Sequence, residues 1–285
     1  SVFYMLVGVL IYLALPQYLP NPLPQQNAIL TLHLSELIVI ISLMAAGIRI
    51  DRKFSFKGWS APLRLIAITM MLTILVTALV GYYFLQLGLA ASLLLAAALA
   101  PTDPVLASDV QVAPPNHPEK SEPKFILTSE AGINDGIAFP FTWLAITVAL
   151  MSGKNEGSLL EWLAWDFFYR ILAGLLVGFL VGKLVGYIVF ILAERNRLLA
   201  TNDGILGVSV TLLVYGITEI IDGYGFIAVF VCALSFRHSD KKNDYHQNLH
   251  KFTDQTERFI LAILLLLFGG CLANGVLQAL SWQMA

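Results

Sequence analysis

Nine apolar stretches cover most of this 285-residue chain and constrain its fold more than any other feature. A transmembrane helix needs about 20 mostly apolar residues, and only the first and the eighth stretch are clearly shorter. The charged fraction is 13%, about half of what soluble domains carry, so a soluble globular enzyme is excluded. The stretches span residues 2–15, 29–49, 63–86, 87–112, 125–150, 168–192, 204–221, 223–236 and 259–284. We therefore predict an all-α polytopic membrane protein with about nine transmembrane helices.

The basic residues support this layout because they alternate along the chain. Cytoplasmic loops of membrane proteins collect Lys and Arg, and 14 of the 17 Lys and Arg residues follow the second, fourth, sixth and eighth stretches. We therefore place these loops in the cytoplasm and the C-terminal end of the last stretch outside. The polar segment 238–258 is expected to form a short interfacial helix on the cytoplasmic surface.

Few residues suggest cofactor chemistry. Cys232 and Cys271 stand singly in apolar stretches, which is not the spacing of a zinc site or a disulfide framework. The sequence has no glycine-rich phosphate-binding loop, and its net charge of -2 gives no reason to expect nucleic acid. His246 and His250 are expected to be solvated surface histidines rather than a pH sensor. We expect no cofactor, and the lipid bilayer is the partner that these features imply.

The sixth stretch carries a ladder of small residues, Gly174, Gly178, Gly182 and Gly186. Small residues at this spacing let helices approach closely, which predicts packing inside the helix bundle or, as the alternative, a scaffold or dimer surface. Asp166 and Arg170, four residues apart, are expected to form a local ion pair.

The fourth stretch contains a polar interruption, Ala-Pro-Thr-Asp-Pro, at residues 100–104. Pro101 and Pro104 each remove a backbone donor and clash with the preceding turn, and Pro104 also disfavours the helical conformation at Asp103. The helix is therefore predicted to open at Thr102 and Asp103, near the middle of the membrane. Opened backbone at that depth is tolerated only against protein or a wet cavity, and broken helices of this kind form the ion sites of secondary transporters.

The fifth stretch carries Glu130, Asn134 and Asp135, the last near its centre. A carboxylate at the bilayer centre costs at least about 2.5–3.5 kcal/mol, so it requires a partner, a proton or a cation. Glu130 and Asn134 share a helix face, whereas Asp135 is turned about 100° from Asn134. Because Asp103 and Asp135 lie in consecutive stretches, they are predicted to form one site.

Taken together, these motifs make the sequence resemble a known family. Ala-Pro-Thr-Asp-Pro in one helix, followed about 30 residues later by Glu-x-x-x-Asn-Asp in the next, is similar to the monovalent cation:proton antiporter-1 family of sodium/proton exchangers. The resemblance implies part of an inverted-repeat antiporter fold with one broken helix. It also implies that sodium, lithium or another monovalent cation and protons are the partners, exchanged by a secondary transporter that is not an enzyme.

The resemblance also assigns roles to individual residues. Asp135 would bind either the cation or a proton, and Thr102 would offer an oxygen to the cation. Asp103 would balance the helix ends at the break and hydrogen-bond to Asn134, whose presence in place of a second acid is typical of the electroneutral branch. Glu130 would form a structural ion pair with an arginine on a later helix.

Further candidates follow from the same resemblance. Glu36 is a weaker match to an acidic residue that reaches the ion site. The family usually has Ser directly after the Glu, where this chain has Ala131; Ser129 lies on a different helix face and is only a weak substitute. This difference leaves the cation selectivity open.

The resemblance divides the chain into three parts. Residues 1–50 and 153–285 would be scaffold and dimerisation helices, and residues 51–152 would be the first half of the ion-translocation core. The second half of the core would be absent, so that the chain is expected to be either a fragment or a divergent short member of the family. The expected setting is the inner membrane of a bacterium, and the expected assembly is a homodimer.

Two other functions use acidic residues or broken helices in the membrane. An intramembrane aspartyl protease carries Asp on neighbouring helices, but its Gly-x-Gly-Asp and Tyr-Asp motifs are missing here. A symporter for organic anions would favour basic or polar groups in the cavity, whereas the intramembrane positions here are acidic. A channel is the least favoured alternative because the sequence has no filter motif.

Overall fold

The computed structural model describes residues 2–102, 110–116, 121–153, 156–192, 204–239 and 245–277, and the regular secondary structure in these ranges is entirely helical. The helices are α1 (Val2–Ala14), α2 (Ala28–Arg49), α3 (Ser60–Tyr83), α4 (Leu89–Leu99), α5 (Glu122–Gly153), α6 (Leu159–Leu192), α7 (Ile205–Ile220), α8 (Gly225–Arg237) and α9 (Tyr245–Ala273). Five of them, α2, α3, α5, α6 and α9, are long and apolar enough to cross a membrane. The protein is a polytopic all-α membrane protein, as predicted.

Two helices begin well before the apolar stretches that predicted them. Helix α6 starts at Leu159 rather than near residue 168, because the aromatic segment Trp162–Tyr169 continues the helix with wider π-helical turns. Helix α9 starts at Tyr245 and runs without interruption to Ala273. The polar segment expected to be a separate interfacial helix is therefore, from Tyr245 onward, the first part of the long helix α9.

The chain divides into two compact units. The smaller contains Ser1–Ile41 and Asp254–Ala285, and so includes α1, the first part of α2 and the later part of α9. Helices α1 and α9 meet through glycines: a Cβ added at Gly269 would lie 2.2 Å from the carbonyl oxygen of Met5, and one at Gly8 would lie 2.3 Å from that of Leu266. The absence of side chains at these positions permits the close helix approach.

The larger unit, Ser42–Thr253, is organised around α8. Helix α8 has only 13 residues, about 20 Å at the usual rise of an α-helix, and is too short to span a bilayer by itself. It packs most extensively against α6 and also contacts α5 and α7, and nearly all its residues are buried. Its short length is tolerated because protein, rather than lipid, surrounds it.

The glycine ladder of α6 forms the contact with α8. A Cβ at Gly178 would lie 2.3 Å from the carbonyl oxygen of Ala228, and a Cβ at Gly182 would lie 2.5 Å from that of Cys232. A Cβ at Gly174 would lie 2.7 Å from the carbonyl oxygen of Tyr224, just before α8, and one at Gly186 would lie 2.2 Å from the side-chain Oγ of Ser239, just after it. The ladder therefore packs inside the bundle, as the favoured interpretation of the sequence predicted. The expected Asp166–Arg170 ion pair is also present, at 3.2 Å.

The prediction of solvated histidines in the polar segment is wrong. His246 is completely buried and His250 is only 6% exposed. The ring of His246 lies 5.1 Å from that of Phe190 and 5.3 Å from that of Phe236, measured between centroids. The helical start of α9 turns these side chains inward, a consequence of tertiary packing that the local polarity of the sequence concealed.

A substitution in the glycine ladder tests this packing. Gly178→Ala is expected to destabilise the protein by about 1–3 kcal/mol, because the new methyl group meets backbone that cannot move aside alone. Gly216→Ala in α7 is the matched control: nothing lies within 4 Å of its added Cβ, so it should be neutral or stabilise the helix by about 0.5–1 kcal/mol. Unfolding of both variants of the full-length protein in detergent provides the comparison, and equal stability of the two would contradict the packing described.

Candidate functional site

Helix α4 ends where the prolines of the fourth stretch begin. Its last residue is Leu99, and the amide of Ala100 still donates to the carbonyl oxygen of Ala96 at 3.1 Å. Pro101 has no N–H to continue this pattern, and Thr102 follows it outside the helix. Asp103, the other residue predicted at the break, lies outside the described residues.

Helix α5 presents the second half of the candidate site. It is continuous for 32 residues, from Glu122 to Gly153, in spite of Pro140 in its interior. The glycines at 132 and 136 bring it against α8: a Cβ at Gly132 would lie 2.1 Å from the Phe230 ring, and one at Gly136 would lie 2.3 Å from Ile227. This close packing fixes the face of α5 that carries the polar residues.

Thr102, Glu130 and Asn134 form a closed ring of three hydrogen bonds. The amide nitrogen of Asn134 donates to Thr102 Oγ1 at 2.8 Å and to Glu130 Oε1 at 3.0 Å. The hydroxyl of Thr102 donates to Glu130 Oε2 at 3.0 Å. We call these three residues the polar ring; it joins the end of α4 to the middle of α5.

The polar ring leaves one acceptor without a donor. Asn134 is fully buried, and its Oδ1 has no hydrogen-bond partner among the described residues. The same is true of Oγ of Ser129, which is also fully buried. A buried polar atom without a partner costs about 1–3 kcal/mol, so each of these oxygens favours a ligand that it could bind.

Asp135 directly follows Asn134 in α5, with its Cα about 3.8 Å from that of the asparagine. Its side chain is partly buried. Ala131, one helical turn earlier on the same side of α5, is 5% exposed. The structure thus places Asp135 on the helix segment that carries the polar ring, with Ala131 beneath it.

The arginine partner expected for Glu130 is not among the described residues. The contacts of the Glu130 carboxylate there are the hydroxyl of Thr102 and the amide of Asn134. Glu36, the weaker candidate, accepts a hydrogen bond from Nδ1 of His33 at 3.1 Å and belongs to the smaller unit.

Two contacts that the sequence did not reveal hold the chain beyond the break. The amide of Val112 donates to Thr128 Oγ1 on α5 at 3.0 Å. Arg49, at the end of α2, donates to the side-chain oxygen of Gln111. The segment 110–116 is therefore attached to two helices by hydrogen bonds. The only signal for this in the sequence was the presence of polar side chains within and after a mostly apolar stretch.

A buried arginine stabilises the same segment from α8. Arg237 is 1% exposed; it donates to Asp51 Oδ1 through Nε at 2.9 Å and to Asn116 Oδ1 through an Nη atom at 3.0 Å. The sequence indicated a cytoplasmic loop charge at this position but not its burial.

A cleft of about 330 Å³ with charged residues in its wall lies between the end of α2 and the start of α5. Its walls include Asp51, Arg52 and Glu122. Arg52 donates to Glu122 at 2.8 Å, and this hydrogen bond raises the pKa of the Arg52 guanidinium. Arg52 and Glu122 are thus paired across the cleft, while Asp51 is bound by Arg237.

The comparison with protein families agrees with the motifs at the break. A family model described as "Sodium/hydrogen exchanger, transmembrane" matches residues 1–285. A Na(+)/H(+) antiporter of Saccharomyces cerevisiae is 29% identical over 160 residues, which cover 53% of this chain and 16% of that protein. A Na(+)/H(+) antiporter 2 of Zygosaccharomyces rouxii is 29% identical over 156 residues, covering 54% of this chain and 19% of that protein.

A third relative aligns over more of the chain. It is a Na(+)/H(+) antiporter of Schizosaccharomyces pombe, 27% identical over 235 residues, which cover 80% of this chain and 49% of that protein. The chain thus spans half or less of the length of these relatives. All three are yeast proteins, so they give no support to the expected bacterial inner membrane. With the family model matched from end to end, the chain belongs to the sodium/hydrogen exchanger family.

Proposed function

We propose that this chain carries the ion-binding site of a secondary antiporter that exchanges sodium or lithium for protons at Asp135. Membership of the sodium/hydrogen exchanger family supports cation and proton exchange across a membrane. The names of the yeast relatives point to the same two ions. The choice of cation, the stoichiometry and the role of Asp135 are the proposal.

The buried oxygen of Asn134 is the observation that supports this site most strongly. Hard cations prefer oxygen ligands from carboxylates, carbonyls and water. Asn134 Oδ1 is such an oxygen, without a donor among the described residues, and it belongs to the residue that precedes the Asp135 carboxylate. An amide oxygen and a carboxylate on adjacent residues suit a monovalent cation better than an organic anion.

The remaining ligands follow from the residues at the break. Thr102 would supply its hydroxyl or carbonyl oxygen, and Asp103 would balance the charge of the helix ends. Glu130 would remain a structural residue rather than a cation ligand. Broken helices in transporters coordinate ions through such unwound backbone, and Thr102 is tied to α5 at this point.

Exchange follows because one carboxylate serves two ions. A bound proton or a bound cation each neutralises Asp135, whereas the empty site carries a charge. That charge costs about 2.5–3.5 kcal/mol at membrane depth, which corresponds to roughly a hundredfold penalty on moving the empty site. Only the occupied site would therefore change its exposure readily, and the movement of one ion would require the return of the other. No phosphate-bond energy is needed.

The proposed setting includes a scaffold, a partner and a membrane. Residues 51–152 would form the first half of the ion-translocation core, with helices on either side serving as scaffold and dimer contacts in a homodimer. Alternating access would arise from movement of one helix group against the other. The bilayer concerned is that of the cell in which the protein is made.

Substitution of the exchange carboxylate is the primary test. Asp135→Asn in the full-length protein is expected to abolish cation-driven proton movement, because an amide can neither be discharged by a proton nor supply charge to a cation. Vesicles with an imposed pH gradient and a pH-sensitive dye report the exchange as sodium, lithium or potassium is added.

Asp222→Asn is the matched control for this experiment. Asp222 lies in an exposed turn with φ of 57°, a conformation that Asn also tolerates, so the exchange rate should be retained. Exchange by Asp135→Asn at the rate of the unsubstituted protein would refute the assignment of the site.

The membrane potential tests the one-for-one stoichiometry. Moving one net charge through 100 mV is worth about 2.3 kcal/mol, so an electrogenic cycle should respond strongly to an imposed potential. We expect the rate in vesicles clamped at 0 and at about 100 mV to agree within twofold. A severalfold change that reverses with the sign of the potential would contradict electroneutral exchange.

Ala131 tests which face of α5 the cation contacts. Ala131→Ser adds a hydroxyl one turn before Asp135 and is expected to raise the apparent sodium affinity roughly 2- to 10-fold, the value of one net hydrogen-bond-like contact. Ala149→Ser on the same helix is the control, since Ala149 is exposed and should leave the affinity unchanged. If both variants bind sodium like the parent protein, Ala131 does not face the ion.

A further inference from the structure

The hydrogen bond between Asn134 and Glu130 determines the orientation of the Asn134 side-chain amide. A carboxylate offers only acceptors, whereas a side-chain amide has an NH₂ donor and an oxygen acceptor of almost the same shape. Nothing in the shape of Asn134 therefore decides which end of the amide faces Glu130. Hydrogen bonding decides the orientation of the amide. Glu130 Oε1 lies 3.0 Å from the amide nitrogen of Asn134, and a carboxylate oxygen can only accept a hydrogen bond from it.

Thr102 reinforces this choice through the same carboxylate. Its hydroxyl group donates its hydrogen bond to Glu130 Oε2. Thr102 Oγ1 is therefore left as an acceptor, and it accepts from Asn134 Nδ2 at 2.8 Å. Both protons of the amide are thus engaged inside the ring. Asn134 Oδ1 must point out of it.

The direction of Oδ1 is what connects the ring to ion binding. Asn134 is fully buried, and Oδ1 finds no donor among the described residues. If the amide were reversed, the NH₂ group would occupy that place and would repel a cation instead of binding it. The orientation of one amide therefore decides whether this position attracts or rejects the substrate.

We propose that Glu130 is a positioning residue for cation binding: by accepting from Asn134 Nδ2 and Thr102 Oγ1, it holds the amide so that Asn134 Oδ1 is presented as a cation ligand. This inference rests on the proposed function, since it assumes that the cation binds beside Asp135. It gives Glu130 a role in affinity, in addition to any structural ion pair. The carboxylate has about four lone-pair sites, and the ring uses two, so an arginine partner would not compete with this role.

Glu130→Gln is the substitution that tests positioning while nearly preserving the shape of the side chain. Glutamine has nearly the same shape, but its own NH₂ group can donate to Asn134 Oδ1 and so stabilise the reversed amide. The KM for sodium is expected to rise about tenfold, the loss of one charge-assisted contact, while the maximal rate stays within about twofold because Asp135 is intact. The melting temperature of the purified protein should change little.

The matched control is Glu156→Gln, which removes the same charge from an exposed residue and should leave the KM unchanged. An unchanged KM in Glu130→Gln, or a lowered melting temperature with unchanged KM, would overturn the proposal by leaving Glu130 a structural residue only. A fall in maximal rate with unchanged KM would overturn it as well.

A double substitution tests whether Glu130 acts through the amide. On an Asn134→Ala background no amide remains to be oriented, so Glu130→Gln, or Glu130→Asp if the former does not fold, should change the sodium KM by less than about twofold. A further tenfold loss on that background would show that Glu130 acts by another route.

The two proposals fail in different ways in the same vesicles. Exchange that survives Asp135→Asn would refute the proposed ion site, and the positioning role would fall with it. Loss of exchange in Asp135→Asn together with parent-like kinetics in Glu130→Gln would leave the ion site standing and refute only the positioning role.

Discussion

A polar group at the depth of the lipid tails must find its partner inside the protein, and the break after Leu99 creates several such groups at once. Opened backbone there is tolerated only against protein or a wet cavity. The polar ring meets this requirement by joining Thr102 to Glu130 and Asn134 on α5. Among the described residues, the side-chain donors of the ring are all engaged, whereas Asn134 Oδ1 has no donor and is therefore the oxygen that we propose as a cation ligand.

The polar ring forms where glycines let neighbouring helices pack closely. Gly132 and Gly136 let α5 approach α8, and the ladder in α6 lets that helix approach α8 from another direction. Association of helices in lipid depends on such van der Waals contact rather than on hydrophobic burial. The short, buried α8 is thus the element against which the polar face of α5 is oriented.

Local rules of backbone and composition predicted much of this from the sequence. The length of the apolar stretches predicted the helices, and the prolines predicted the end of α4. The spacing of the glycines in α6 predicted its close packing in the bundle. Long-range partners escaped prediction. The burial of His246 and of Arg237, whose guanidinium binds Asp51 and Asn116, depends on residues far apart in sequence, and a polar or charged residue beside a loop has no local signal that distinguishes solvent from protein. The roles of Asp135, Asp103 and Thr102 remain predictions from the motifs.

Hydrogen bonds to α5 hold the chain on both sides of residues 103–109. Before this segment, Thr102 binds the residues at 130 and 134 of α5; after it, Val112 binds Thr128, less than one turn from Glu130 on the same helix. Both flanks therefore attach to one short region of α5. Hydrogen bonds of this kind contribute only about 0.5–1.5 kcal/mol each, comparable to thermal energy rather than to the cost of unfolding a helix. Such bonds would suit the proposed ion site, whose ligands would have to be presented in a fixed direction and yet exchanged between two ions.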